Sequence, residues 1–129
     1  MLNSTLVYQK QNILLNLSTI DLCMLTAMAF AASKEYGKYN FEMIFHEYDS
    51  HVRQLSIQGI SSSQFIRFSK NICFMAFQRL IENGLCWFVE KNGMIEYRMA
   101  RTGVSKSVLC SLVGIAEMPD ALKTWINSL

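Results

Sequence analysis

Hydrophobic residues recur at helical spacing over most of the chain, and this pattern predicts three helices before residue 84. The first is expected from about Thr19 to Ser33, because Ser18 and Asp21 have the spacing of a capping box. Apolar residues occupy nearly its whole circumference, so it should be covered on more than one side. The second begins after the cap residue Asn40 and has one apolar stripe, formed by Phe41, Ile44, Phe45, Tyr48 and Val52.

The third helix is predicted from about Lys70 to Asn83, between a Ser69 cap and Gly84, which can end it in the left-handed conformation. A rotation of 100° per residue separates two faces. The face expected to pack on the first two helices carries Ile72, Cys73, Ala76, Phe77 and Leu80. The outward face carries Asn71, Met75, Gln78 and Glu82, flanked by Phe74.

A β-hairpin is predicted after the third helix, with strands Leu85 to Glu90 and Met94 to Ala100. Asn92-Gly93 between them suits a type I′ turn. Helical patterns follow near Val104 to Ile115 and, as a short last helix, beyond Pro119. The predicted fold is therefore mostly α with a small β-hairpin, in the order of a winged helix: a helix-turn-helix, a wing and extra C-terminal helices.

The chain has a small net charge, but its positive residues are unevenly distributed along the sequence. The net charge is +2, which is no strong nucleic-acid signal. Residues 62–101, however, hold six Lys/Arg against three Asp/Glu. Cations on a wing suit phosphate contact, although a solvated hairpin carries them too. The candidate DNA-binding residues are Arg67, Lys70, Asn71, Lys91, Asn92, Arg98 and Arg101.

The outward face of the third helix supports three interpretations. It lacks the arginine cluster that commonly reads guanine, so DNA contact there would tolerate many sequences. Apolar side chains on this face would instead favour docking onto a neighbouring protein, and the third interpretation is ordinary surface. The candidate protein-interface residues are Phe74, Met75 and Gln78.

Motifs for catalysis or metal binding are missing from the sequence. The four cysteines lie too far apart for a zinc knuckle or a redox pair, so they read as small buried hydrophobes. His46 and His51 would face different sides of a helix, and Glu42 and Glu47 would not converge. We therefore expect no enzyme activity, no metal, no cofactor and no small-molecule substrate.

The apolar run from Ile13 to Ala32 raises the question of a membrane span. Polar residues from Asn16 to Asp21 interrupt it and leave too few apolar residues for a spanning helix. No basic region precedes it, as a signal peptide would require. With the unpaired cysteines, this favours an intracellular, reducing compartment and no membrane partner.

Five segments together resemble the C-terminal winged-helix region of the fourth subunit of the eukaryotic origin recognition complex: "LSTIDLCMLTAMAF", "YNFEMIFHEYDSHVRQ", "MAFQRLIENGLCWFV", "EYRM" and "MPDALKTWINSL". The resemblance covers about residues 17–129, in order and with similar spacing. No single segment is diagnostic, because each is mainly a pattern of core residues. Their order and the closing segment from Pro119 to Trp125 carry the assignment.

The resemblance implies a nuclear protein of replication initiation, with the other origin subunits and double-stranded DNA as partners. Family members carry an ATPase module before the winged helix, and residues 1–16 are expected to be the remaining end of that preceding region. A phosphate-binding Gly-x4-Gly-Lys-Ser/Thr loop does not occur here, so ATP binding within these residues is not expected. The resemblance therefore implies that the chain is a fragment or a truncated product. A pure protein-interaction winged helix and a transcription factor's winged helix are the alternatives.

Overall fold

The computed structural model describes residues 12–34, 37–59 and 67–129. All the predicted helices form. In chain order the elements are α1 (Thr19–Lys34), α2 (Phe41–Ile57), α3 (Lys70–Glu82), β1 (Cys86–Phe88), a short 3-10 helix (Ile95–Tyr97), β2 (Ala100–Thr102), α4 (Lys106–Leu112) and α5 (Asp120–Asn127). No helix in these ranges is long and apolar enough to cross a membrane. The fold is mostly helical with one small antiparallel sheet, as predicted.

The predicted remainder of a preceding region, residues 1–16, lies mostly outside the described ranges. The part that is described, residues 12–16, begins with a helical turn. Leu14 in this turn is buried and belongs to the hydrophobic core. This stretch therefore packs onto the domain, and the assignment of residues 1–16 to a preceding region stays a prediction.

Helix α1 is the central element of the core. Every residue from Ile20 to Met28 is buried, which explains why its apolar side chains have no preferred face. The predicted capping box forms: the Ser18 backbone N–H and hydroxyl donate to the Asp21 carboxylate, and the Asp21 backbone N–H donates to the Ser18 hydroxyl. Helices α2, α3 and α5 and strand β2 all contact α1.

Helices α2 and α3 start where their caps predict. The Asn40 side chain accepts from the backbone N–H of Met43 at 2.9 Å, and the Ser69 hydroxyl accepts from that of Ile72 at 3.3 Å. Helix α3 stops at Gly84, whose φ of 77° is left-handed. The residues that α3 buries are Cys73, Ala76, Phe77 and Leu80.

The prediction that Ile72 of α3 lies in the core is wrong, because this residue is 45% exposed. On a helical wheel it lies roughly 90° from the middle of the buried arc, so it belongs to the border between the faces. The opposite border is occupied by Phe74, which was predicted to face outward. Phe74 is half-buried, and its ring meets that of Phe41 edge to face at 4.9 Å between centroids.

The predicted hairpin forms, but its strand register and its connecting loop differ from the prediction. Strand β1 pairs with β2 antiparallel, with Cys86 opposite Thr102 and Phe88 opposite Ala100. The connection is thus a loop of eleven residues, 89–99, rather than a two-residue turn at Asn92-Gly93. Within it, residues 95–97 form the 3-10 helix, which contacts α2. Packing of this turn on α2 replaces most of the second strand expected from the sequence.

A third chain segment borders the sheet. Tyr39 and Ala100 exchange two backbone hydrogen bonds, with N···O distances of 3.2 and 2.7 Å, and form an isolated antiparallel bridge. Both residues are buried. Residues 38–40 therefore lie along the free edge of β2 and are held there by this single bridge.

Helix α5 closes the domain through an aromatic stack. The indole of Trp125 is buried and stacks on His51 of α2, with ring centroids 4.3 Å apart and planes at 6°. Phe30 of α1 also stacks on this indole, with 5.6 Å between the ring centroids. Burial lowers the pKa of His51 below its ordinary value of 6.5.

The His51 stack predicts a pH dependence of stability. A histidine whose pKa is lower in the folded state binds its proton more readily when unfolded, so its contribution is fully present above pH 6.5 and is lost as the pH falls through and below that value. Denaturant melts over this range should show the free energy of unfolding declining with acidification. His51→Phe, which retains an aromatic ring beside Trp125, should decline less. Equal declines in both proteins would contradict the assignment.

Candidate nucleic-acid interface

Three of the predicted DNA-binding cations are held in intramolecular contacts. Arg67 Nη2 lies 2.9 Å from Asp49 Oδ1, and Lys70 Nζ lies 2.8 Å from Glu42 Oε2. The hydrogen bond to Glu42 raises the pKa of Lys70. These pairs link the start of α3 to α2 at the surface, where each is worth little to stability but reduces the free positive charge.

The third, Arg98, is tied into the wing. It was predicted to lie on or just past the second strand, but it lies between the 3-10 helix and β2. Its Nη2 donates to the Gly93 carbonyl at 2.8 Å, and the guanidinium lies 5.2 Å from the centroid of the Phe88 ring. Gly93 has a φ of 95°, which favours glycine there. Arg98 thus shapes the loop.

The remaining predicted DNA-binding residues are exposed. Lys91 and Asn92 lie in the wing loop, Asn71 lies in the first turn of α3, and Arg101 lies in the middle of β2. Within the described ranges, no carboxylate lies at ion-pair distance from Lys91 or Arg101. These two cations are therefore the predicted ones that remain available to a phosphate.

The predicted protein-interface residues of α3 are divided by the structure. Phe74 packs inside the domain, Gln78 is half-buried, and Met75 is 56% exposed. Ile72, expected in the core, lies exposed near Met75 on the same helix. The apolar part of this surface is thus formed by Ile72 and Met75.

Two exposed residues near β2 were not singled out from the sequence. Trp87 lies opposite Arg101 in the sheet and is 46% exposed. Lys38 precedes the Tyr39–Ala100 bridge, so its register position is opposite Arg101 on the other side. Strand alternation from the buried Cys86 could have placed Trp87 outward, whereas Lys38 depends on a pairing between segments about sixty residues apart.

Other chemistry finds no support in the described residues. Burial raises the pKa of the Cys73 and Cys86 thiols to about 12, so both are neutral and poorly reactive. Burial also raises the pKa of Cys23. Cys110 is half-buried. No group of three or more metal-ligating side chains comes together among residues 12–34, 37–59 and 67–129. The arrangement can bind, and its exposed groups are suited to anions and apolar surfaces.

Three helices followed by a small antiparallel sheet, with the sheet's loop folded against α2, define a winged-helix-like domain. The family model for "Origin recognition complex (ORC) subunit 4 C-terminus" matches residues 2–113. The chain belongs to this family, which confirms the resemblance found in the sequence.

A curated relative agrees with the family assignment. The chain is 30% identical over 103 residues to the "Origin of replication complex subunit 4" of Oryza sativa subsp. japonica. The matched region makes up 78% of this chain and 20% of the rice protein. The chain thus spans about a fifth of the length of this relative, and its family membership concerns the C-terminal region.

Proposed function

We propose that this chain is a non-catalytic part of an origin recognition complex subunit and acts beside DNA in replication initiation in the nucleus. The observation that carries the proposal is the family match over residues 2–113. Its partners would be the other subunits of the complex and double-stranded DNA. Its mechanism is binding: cations hold the DNA backbone without reading sequence, and apolar surface secures subunit contacts.

The distribution of free and paired cations supports a specific form of DNA contact. Lys91 in the wing loop and Arg101 in β2 have no carboxylate at ion-pair distance among the described residues, so a phosphate would not have to displace one. Arg67 and Lys70 would first have to leave Asp49 and Glu42. Phosphate contact through the wing and β2, rather than through the start of α3, follows from this difference.

The proposal predicts unequal effects from two charge-matched double variants. Lys91→Ala with Arg101→Ala should weaken binding to a random-sequence duplex roughly tenfold for each cation at about 0.1 M salt. Each phosphate that is no longer contacted keeps its counterion, so the free energy of releasing that ion is lost from binding. Arg53→Ala with Arg67→Ala also removes two positive charges, both paired with Asp49, and should weaken binding much less. Fluorescence anisotropy with a labelled duplex measures both.

Equal losses in the two variants would indicate that only net charge matters, and would contradict contact through Lys91 and Arg101. No binding by the wild-type chain at low salt would also count against the DNA role.

Protein docking without DNA is the second candidate function, and the exposed apolar pair on α3 favours it. Ile72 is 45% exposed and Met75 is 56% exposed. Burial of apolar surface of this kind stabilises protein contacts. If Ile72→Ser with Met75→Ser abolishes assembly with the other origin subunits while the Lys91/Arg101 variant assembles and binds DNA normally, docking is the function of this chain.

A further inference from the structure

A row of exposed side chains crosses the outer face of the sheet. Trp87 pairs with Arg101 in the β1–β2 ladder, and the Tyr39–Ala100 bridge places Lys38 opposite Arg101 on the other edge. Side chains of neighbouring paired residues project to the same face. The inner row next to it, Phe88, Ala100 and Tyr39, faces the core. The sheet thus presents one indole and two cations in line.

The indole is supported by the chain beneath it. A Cβ atom on Gly103 would lie 3.3 Å from Cζ3 and 3.5 Å from Cη2 of Trp87, so the six-membered ring rests closely over this glycine. Even so, 46% of Trp87 is exposed. Core packing therefore does not account for a residue of this size at this position, whereas Trp125, the other tryptophan, is only 4% exposed.

The two cations beside the indole have no acidic partner among the described residues. Within the described part of the chain, no carboxylate lies at ion-pair distance from Arg101 or Lys38. Glu90, the first acidic residue after β1, accepts a hydrogen bond from the backbone N–H of Met99 at 2.9 Å. The surface complements a ligand that carries both flat apolar groups and negative charges.

Nucleic acid carries both flat bases and negative phosphates. The exposed indole distinguishes between single-stranded and duplex nucleic acid as the ligand. In a duplex the bases stack on each other and their faces are covered, whereas an unpaired base exposes a face on which an aromatic side chain can stack. We infer that the Trp87–Arg101–Lys38 row binds single-stranded DNA, with a base stacked on the indole and the cations against its phosphates. The inference rests on the proposed DNA role for its setting. It concerns another ligand, and it adds Trp87 and Lys38 to Arg101, which the duplex contact also uses.

Tryptophan fluorescence gives a direct test. Only Trp87 is exposed to ligand, since Trp125 is stacked in the interior. A short oligothymidylate should quench the emission of the wild-type chain, and an abasic oligomer with equal phosphate number should not. Both variants lack the reporting indole, so their binding is measured by the anisotropy of a labelled oligothymidylate. Trp87→Ala should weaken this binding roughly five-fold to a hundred-fold, whereas Trp87→Phe, which can still stack, should retain most of the affinity. Thermal melts of both variants determine whether each is folded.

The outcomes separate the alternatives. Equal affinity for the abasic oligomer, or affinity unaffected by Trp87→Ala, overturns the inference while leaving duplex binding through Lys91 and Arg101 untouched. Quenching by polyglutamate as strong as by the oligothymidylate overturns it in favour of an acidic protein partner. If Trp87→Ala is unfolded, the Trp87→Phe protein decides: loss of oligothymidylate binding by this folded variant also overturns the inference.

Discussion

Replacing Phe77 with Ala is expected to lower the free energy of unfolding by about 3–5 kcal/mol. Phe77 is completely buried and is the ring that joins the helices to the sheet. Its centroid lies 5.6 Å from that of Phe41 in α2 and 5.9 Å from that of Phe88 in β1. Truncation leaves a cavity at this junction, and domains of this kind are stable by only about 5–15 kcal/mol in total.

Urea denaturation followed by circular dichroism measures the effect. Met75→Ala provides the matched control, because Met75 lies in the same helix with more than half of its surface exposed and should change stability by less than about 1 kcal/mol. A loss below about 1 kcal/mol for Phe77→Ala would mean that α3 does not pack on the sheet as described.

The second large effect is expected at Asp21, which joins the start of α1 to α3. Its carboxylate accepts from the Ser18 hydroxyl at 2.9 Å and lies 3.0 Å from Arg79 Nη2. Asp21→Ala removes the carboxylate half of the capping box and leaves the guanidinium without its partner, while the Ser18 hydroxyl can still accept from the backbone N–H of residue 21. Loss of a complete N-cap costs about 0.5–2 kcal/mol, so this half contributes at the lower end of that range. Since Arg79 is 45% exposed and returns to water, the pair adds less than a fully buried one, and we expect a total of about 1–3 kcal/mol.

Two further variants separate the capping box from the ion pair. Asp21→Asn retains an oxygen that can accept from Ser18 but not the charge, so its stability should fall between those of wild type and Asp21→Ala. Arg53→Ala breaks an exposed pair with Asp49 and should change the unfolding free energy by at most about 0.5 kcal/mol. If Asp21→Ala unfolds at the same urea concentration as Arg53→Ala, the contacts of Asp21 with Ser18 and Arg79 do not contribute to the free energy of unfolding as proposed.

The helices could be predicted because their signals are local. Asn40 and Ser69 each cap a helix through a hydrogen bond to a residue three positions later, and Gly84 ends α3 within the same turn. The apolar stripes then fix which faces pack. Ile72 could not be placed in this way, because a residue at the border of an apolar stripe is buried only if a neighbouring element extends far enough to cover it.

The sheet could be predicted only in part, because its register depends on distant contacts. Asn92-Gly93 favours a tight turn when only the flanking residues are considered. In the fold, Ala100 is fixed between Phe88 and Tyr39, and residues 95–97 pack on α2. Both contacts require the helices to be in place, so they cannot be predicted from the sequence of residues 85–100 alone.

The candidate DNA-binding site could also be predicted only in part. The sequence identifies which cations are present, but not which of them have partners. Arg67 and Asp49 are eighteen residues apart, and Lys70 and Glu42 are twenty-eight apart, so their pairing follows from the packing of α3 on α2. Free charge at Lys91 and Arg101 becomes evident only once those pairs are known.

The central claim, that this domain lies beside duplex DNA and holds its backbone through Lys91 and Arg101, is tested most directly by the salt dependence of duplex binding. For each phosphate contact, the slope of log affinity against log salt concentration changes by about 0.9. The account predicts that Lys91→Ala with Arg101→Ala reduces the slope by about 1.8, and that Arg53→Ala with Arg67→Ala leaves it near the wild-type value. Equal slopes for all three proteins would contradict the claim.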